Sequence, residues 1–536
     1  MSDSKRRSIA RKYATIAKKI KRDVKLEDLK ESGITKDMVT HHYGSIANLD
    51  RFARSAHPDK FFDVSVEHLY SPKAIKALRD GVKKHNRFVV TTAVNGCEAN
   101  AGFLASLKSY CKHKDAALLI LISSDPAANS GSGKRWGTVC SSLQGETIVF
   151  EDTRLNDNVF LSTIKLSAKH IDPITGLSRV GQRNGTFIYA SPKQRLKAVP
   201  MGNGKLPHFM MTTGAITKPN YNTDIYMSQR TAYIADHDHV VGAVVVEIVD
   251  DEFYHFRQVQ ATDGGSFCDM GIKYSPDGTT VEVRPEALIL GDWHAGSTDP
   301  QAKAAWIDAA QKTKPKRIIL HDAFDGISIN HHEEGQNLLK VQRSENGQLD
   351  LELEMQTLAA DLKMLGNLTE EIVVVKSNHD LFLERYLQQG KYVQDPENHK
   401  IALQLSLAKL NGEDPLAYGV GMSFDPSSKE WHKIRWLSED DDFSIEGVQL
   451  GAHGHRGANG AKGSLRAMEA AYANSVSGHA HTPEILRGAW QVGTSSILKL
   501  EYNKGASSWL HSSCLLYPGG HRQLINCIEG QWYLKK

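Results

Sequence analysis

Apolar residues recur at helical spacing at the start of this chain. Ile9, Tyr13, Ile16, Ile20 and Val24 share one face while Lys18, Lys19, Lys21 and Arg22 cover the others, which predicts a basic amphipathic helix. Gly33 breaks the pattern. Thr35 then stands where it would cap a short helix ending near His42, and Ser45 where it would cap another carrying Ile46, Leu49 and Phe52. From residue 83 the pattern changes. Residues 88–92 read as a strand, 103–110 as a helix, 117–122 as a second buried strand and 240–249 as an alternating strand, with Gly, Asn and Asp turns between them. Near Pro285 it changes again, to apolar runs that each end in polar, ligand-type residues. The expected organisation is a helical module over residues 1–82, a mixed α/β accessory region over 83–285 and an α/β catalytic domain over 286–536.

Length and composition agree with this division. A chain of 536 residues exceeds one ordinary core. Its 40% hydrophobic and 24% charged residues are those of a globular protein able to bury a sizeable interior. No apolar run is long enough to span a bilayer, and no apolar segment follows the basic start as a secretory signal would require, so a cytoplasmic protein without a membrane partner is expected. The six cysteines lack CxxC spacing and read as reduced thiols. A net charge of +3 does not by itself argue for a polyanionic partner. Two suggestive segments are set aside. Gly131-Ser-Gly-Lys134 lacks the first glycine of a phosphate loop, since Ala128 stands there, and Arg135 replaces the magnesium-binding hydroxyl. Asp236-His-Asp-His239 lies just before a strand and reads as a polar turn.

Five later segments share one design. Leu288-Ile-Leu-Gly-Asp292-Trp-His294-Ala-Gly296 is a buried strand ending in Asp-x-His, and Ile318-Ile-Leu-His-Asp322 is a second ending in an aspartate. Ile372-Val-Val-Val-Lys-Ser-Asn378-His379-Asp380 is a third, and the segments ending in His453-Gly-His455 and in Gly478-His479-Ala-His481 complete the set. Neighbouring strands that end together place their last residues on one rim of a sheet, where sites form in layered α/β folds. Carboxylates and imidazoles suit manganese, iron or zinc, and the absence of cysteine argues against a structural zinc. Asp-x-His on an extended segment lets both side chains turn toward one ion, and a further aspartate can bridge two cations about 3.5–4 Å apart.

The order Asp-x-His, Asp, Asn-His-Asp, His, Gly-His-x-His resembles the calcineurin-like metallophosphoesterase superfamily over residues from about 286 to 500. The resemblance implies a β-sandwich flanked by helices and two divalent metal ions, manganese foremost, with iron, zinc or magnesium as alternatives. By it, Asp292, His294 and His481 would hold one metal, and Asn378, His453 and His479 the other, with Asp322 bridging. His379 would act over the scissile phosphate, as a proton donor if protonated, and Asp380 would orient it. Hydrolysis would then proceed through a hydroxide activated by the two metals, without a covalent protein nucleophile. The sequence departs from the family at the bridge, where His321 replaces the usual glycine before Asp322, and Asp325 is an alternative bridging residue. His455 competes in the same way with His453, which position in the motif favours.

The superfamily's substrates are diverse, and three features point to DNA. The Asp-x-His-x-Gly form of the first motif is similar to that of SbcD-like double-strand-break nuclease subunits. The basic start followed by two short helices has the outline of a helix-turn-helix module, although a helical arm that packs on the rest of the chain or mediates assembly fits the same pattern. Cationic and flexible groups lie near the motifs, among them Arg385, His455, Arg456 and Lys462, and the first three are candidate substrate contacts. In its length, basic helical start, mixed middle region and motif forms, the chain also resembles the pre-early DNA-degradation proteins of T-five-like bacteriophages. That resemblance implies a manganese-dependent DNase acting on host DNA in the bacterial cytoplasm. A phosphodiesterase or phosphatase for small nucleotides and a non-catalytic DNA-binding assembly protein are the other readings. The large accessory region favours a homo-oligomer.

Overall fold

The computed structural model describes residues 3–20, 24–57, 64–65, 71–94, 97–123, 138–164, 166–167, 170–202, 204–221, 229–500 and 503–535. The architecture is mixed α/β and divides into two compact units. The first comprises residues 1–196, 209–269 and 273–281; the second comprises 197–208, 270–272 and 282–536.

In the first unit the N-terminal helices Asp3–Ile20, Lys36–Tyr43 and Ile46–Ala56 close a small core of their own. Ile9 and Tyr13 bury against Val39, Tyr43, Leu49 and Phe52, while Ile16 and Val24 pack at its edge. The expected caps form: Thr35 accepts from the Met38 amide and Ser45 from the Asn48 amide, satisfying donors that a helix start leaves open. Gly33 ends a short 3-10 turn, Leu26–Ser32, at φ 74°, a left-handed position that a side chain would strain. The expected basic face falls largely outside the described residues, which omit Lys21, Arg22 and the side chains of Lys18 and Lys19.

A five-stranded sheet follows in the order Tyr254–Gln260, Gly242–Ile248, Arg87–Val94, Ala117–Ser123, Thr147–Ile148. Arg87–Val94 and Ala117–Ser123 run parallel with helix Ala101–Lys114 between them, as a parallel connection requires. Arg257 crosses this unit's interior, 2% exposed, with its guanidinium on Glu247 at 3.0 Å and on Asp269 at 2.5 Å. Of the expected turn at residues 236–239, Asp236 and His237 instead end helix Gln229–His237, and a turn follows at Asp238. There Asp238 pairs with buried Lys193, and the His239 ring bonds the Tyr221 hydroxyl and the Thr217 carbonyl. These residues form no metal-binding group among the described residues. The segment 131–134 lies outside the described residues.

The second unit carries a six-stranded sheet in the order Ile434–Trp436, Glu371–Val374, Arg317–Leu320, Ala287–Ile289, Ser512–Leu516, Arg522–Asn526. The first four strands are parallel and the last two pair antiparallel. Leu288, Ile289, Ile318, Ile319, Ile372 and Val373 are wholly buried, which explains why these strands read as unbroken apolar runs. A second group of short strands pairs in the order Ser444–Ile445, Val448–Gln449, Ser475–Ser477, Ala489–Gln491, Glu484–Leu486. A bridge between Asp292 and Thr494 joins the chain leaving the first sheet to the strand-end following Ala489–Gln491. Helices Pro300–Thr313 and Leu351–Gly366 contribute buried residues, including Trp306 and Leu358, and Asp299 caps the first through the Gln301 and Ala302 amides.

Replacing Arg257 with alanine would remove the guanidinium that the buried Glu247 and Asp269 share, leaving Arg87 on the one and the Tyr110 hydroxyl on the other. The expected loss is about 3–5 kcal/mol of the first unit's stability, measured by chemical denaturation of the full chain; an unchanged unfolding midpoint would refute it.

Candidate metal centre

The parallel pairing of the central strands continues past their ends and carries the first ligands with it. The Trp293 amide donates to the His321 carbonyl and the His294 amide to the Asp322 carbonyl, so the Asp-x-His segment lies alongside the second strand's polar end. At the tip of the second sheet, the His479 amide donates to Asp292 Oδ2 at 2.7 Å. The strands therefore converge on Asp292 and Asp322, which are 0% and 1% exposed.

Two groups of ligand-type side chains that share Asp322 meet there, beside a third made by His294, Asp325 and His379. Asp292, His294, Asp322 and His481 form one, with one ligand atom from each residue within 4.8 Å of the others; Asp322, His453 and His479 form the second. Asp322 belongs to both. Its Oδ2 lies 3.1 Å from His453 Nε2 and 3.8 Å from His294 Nε2. His481 Nε2 is 3.1 Å from Asp292 Oδ2 and from His294 Nε2. Asn378 Oδ1 sits 3.1 Å from His453 Nε2 and 3.0 Å from His479 Nδ1, which adds a neutral oxygen to the second group. All seven expected ligands are thus brought together.

Electrostatics and backbone fit a cation site. Burial alone would raise the Asp292 carboxyl, but the His481 hydrogen bond and the charge of His453 hold it below its ordinary value. Burial would raise Asp322, but the charge of His453 and the hydrogen bond it makes hold the carboxyl well below its ordinary range. Burial opposes a charged His294, yet Asp325, Asp322 and Asp292 raise it to about 9. His479 is lowered to about 4 by burial and by His453, so it is neutral and able to coordinate. The Oδ1 atoms of Asp292 and Asp322 have no hydrogen-bond partner among the described residues, a costly arrangement that divalent cations would relieve. Four of the twelve described non-glycine residues with positive φ are His294, Asp322, His479 and His481. Such conformations cost about 1–3 kcal/mol each and persist where surrounding structure enforces them. Gly478 is required for a different reason: a Cβ there would lie 2.1 Å from Asp292 Oδ1.

Asp325 takes a place that the sequence reading considered only as an alternative bridge. It accepts from His294 Nδ1 at 3.2 Å and from Ser297 Oγ at 2.5 Å, and its carbonyl accepts from His379 Nδ1 at 2.5 Å. It orients two imidazoles from behind. The orienting contact expected of Asp380 does not form, because Asp380 Oδ2 accepts from the Ser377 amide and fixes the turn before its helix. Burial lowers His379 against the pull of Asp322, so this ring is neutral near pH 7 and not a standing proton donor. His321, in place of the usual glycine, is wholly buried and lowered to about 4 by burial and by His453.

The three expected substrate contacts lie outside the cluster. Arg385 rests against a His331 ring nitrogen. His455 and Arg456 both pair with Glu439, at 3.1 and 3.0 Å, and line a neighbouring cavity of about 370 Å³ that His453 also borders. A second cavity, of about 480 Å³, opens over the cluster itself; Asp322, Asn378, His379, His479 and His481 line it together with Phe382 and Trp509. Nothing in the local sequence pattern of Phe382 and Trp509 distinguishes them from ordinary core aromatics.

No known family profile matches the chain. It is 28% identical over 478 residues to Protein A1 of Escherichia phage T5, an alignment covering 84% of each protein, and so is related to a bacteriophage protein. Among solved structures, Vps29 of Chaetomium thermophilum aligns over 37% of this chain and 97% of its own, at 9% identity and a TM-score of 0.20, too weak a likeness to bear on the fold.

Because Asp322 belongs to both groups, Asp322→Ala should abolish metal binding, whereas His481→Ala should only weaken it, as measured by titration calorimetry with manganese. Gly478→Ala, which displaces the Asp292 carboxylate, should lower affinity about 10-fold or more while the circular dichroism spectrum is retained. Equal metal stoichiometry in all three variants would refute the shared-carboxylate arrangement.

Proposed function

We propose that the protein is a two-metal phosphodiesterase whose substrate is DNA, acting during phage infection to degrade host DNA. The observation that carries the catalytic part is the single carboxylate, Asp322, common to two buried ligand groups beneath an open cavity. Asp292, His294, Asp322 and His481 would hold one ion, and Asp322, Asn378, His453 and His479 the other. Two bound divalent cations, manganese foremost, would supply Lewis acidity to the phosphate oxygens and acidify the attacking water.

The chain's own groups do the rest. His379 donates its Nδ1 proton to the Asp325 carbonyl, which fixes the tautomer and leaves Nε2 as an acceptor. Neutral at rest, the ring becomes a donor to the leaving oxygen only after it has taken a proton. Asp325 holds His294 through Nδ1, keeping Nε2 directed to the cluster. The seven ligands support the catalytic reading over a decayed, purely binding site, since each would have to be retained without use. The DNA assignment rests on the form of the first motif and on the similarity to phage proteins. Arg385, His455 and Arg456 serve in this reading as contacts to DNA phosphates outside the cluster.

The test is cleavage of linear and closed-circular duplex DNA by metal-stripped protein, with manganese, magnesium and zinc added back separately. Manganese-dependent loss of DNA is expected, abolished in Asp322→Ala and reduced about 100- to 10,000-fold in His379→Ala. Survival of DNA alongside turnover of a small chromogenic phosphodiester would make the protein a small-nucleotide phosphodiesterase. DNA binding that survives chelation, without cleavage under any metal, would make it a binding protein.

A further inference from the structure

The cavity over the metal ligands has walls of a kind that the hydrolytic chemistry does not require. Trp509 packs against His481 with ring centroids 4.1 Å apart; His481 lies 5.0 Å from His294, His294 lies 4.7 Å from His379, and His379 lies 4.7 Å from Phe382. Phe382 in turn lies 5.6 Å from His332. Trp509 stands at one end of this series of touching rings, Phe382 and His332 at the other, and all three line the same cavity. The described lining contains no lysine or arginine. Its one glutamate, Glu333, is tied to Arg343 through bonds of 2.5 and 2.6 Å. Such a space offers nothing to extra backbone phosphates and much to the flat faces of bases.

Size points the same way. A volume of about 480 Å³ falls within the roughly 300–1,000 Å³ of pockets that enclose a small organic ligand. Asp322, Asn378, His379, His479 and His481 line this space, so a phosphate engaged at the cluster enters it. In a stacked duplex it cannot do so without its neighbouring nucleotide. That nucleotide must leave the stack, at a cost that is least in single strands and at frayed or mispaired ends.

From this, and resting on the phosphodiesterase reading above, we infer that the cavity is a subsite for one unstacked nucleotide adjoining the scissile phosphate. Trp509 on one side and Phe382 with His332 on the other are its stacking walls, and single-stranded or frayed DNA is the preferred substrate. Base identity is not read there, because stacking accepts every base.

The experiment uses the full chain and single-stranded oligonucleotides carrying 2-aminopurine at successive positions. Binding to metal-stripped protein is followed by fluorescence, and cleavage by manganese-loaded protein is compared between single-stranded and fully paired forms. Quenching at one position is expected, with faster cleavage of the single strand. Trp509→Leu and Phe382→Leu should each weaken binding about 5- to 150-fold and relieve the quenching, and Trp509→Phe, which keeps a ring, should restore both. Turnover of bis(p-nitrophenyl) phosphate by the unaltered, manganese-loaded protein reports on the metal chemistry independently of stacking. Turnover of that ester without quenching at any position, with equal cleavage of single and paired strands, or with wild-type binding by the leucine variants, would overturn the subsite and leave the phosphodiesterase reading intact. No turnover of the ester under any metal would overturn the phosphodiesterase reading, and the subsite with it.

Discussion

The second unit is organised around the cost of holding two carboxylates, Asp292 and Asp322, side by side without water. Burial and mutual repulsion both act to protonate them. They stay ionised because imidazoles from separate strand ends surround them, each delivered by the backbone and not by a long flexible side chain. His294 arrives beside Asp322 through continued strand pairing, and His479 and His481 arrive at the tip of the second sheet, where the His479 amide bonds Asp292 directly. The same field that pulls a proton onto His294 would welcome a divalent cation.

Concentrating charge in this way restricts the backbone as much as the side chains. Four residues of the cluster occupy left-handed conformations, and the approach of Asp292 leaves no space for a side chain at residue 478. Such strain survives only in a rigid setting. The fully buried Trp293 and Trp306 provide part of it: Trp293 bonds Asp361 across to helix Leu351–Gly366, and Trp306 bonds Ser495, one residue beyond the bridge that joins the two sheets. Asp325 provides another part by holding two imidazoles at once, one through its carboxylate and one through its carbonyl.

Much of this was legible in the sequence because its causes are local. Apolar runs buried on both faces announce parallel strands, and polar residues at their ends announce a shared rim. Thr35 and Ser45 announce helix starts through the hydrogen bonds that a helix start needs. What escaped the sequence depends on tertiary geometry. The difference between Asp380, which closes a turn, and Asp325, which aims two rings, arises from where a loop folds back over 54 residues of chain. Trp509 follows the site's last ligand by many residues, and only folding sets its ring on His481. Likewise, no change of composition at residues 197–208 or 270–272 signals that these short pieces belong to the second compact unit.

His294 and His481 are separated by 187 residues of chain. At about 5–20 residues per second, a ribosome needs roughly ten to forty seconds to pass from one to the other. During that interval the early ligands have left the tunnel without the partners that hold them ionised and correctly aimed. A polypeptide released before His481 carries an open ligand set, whatever else of it has folded. The cluster is therefore closed only once the chain has been made through residue 481.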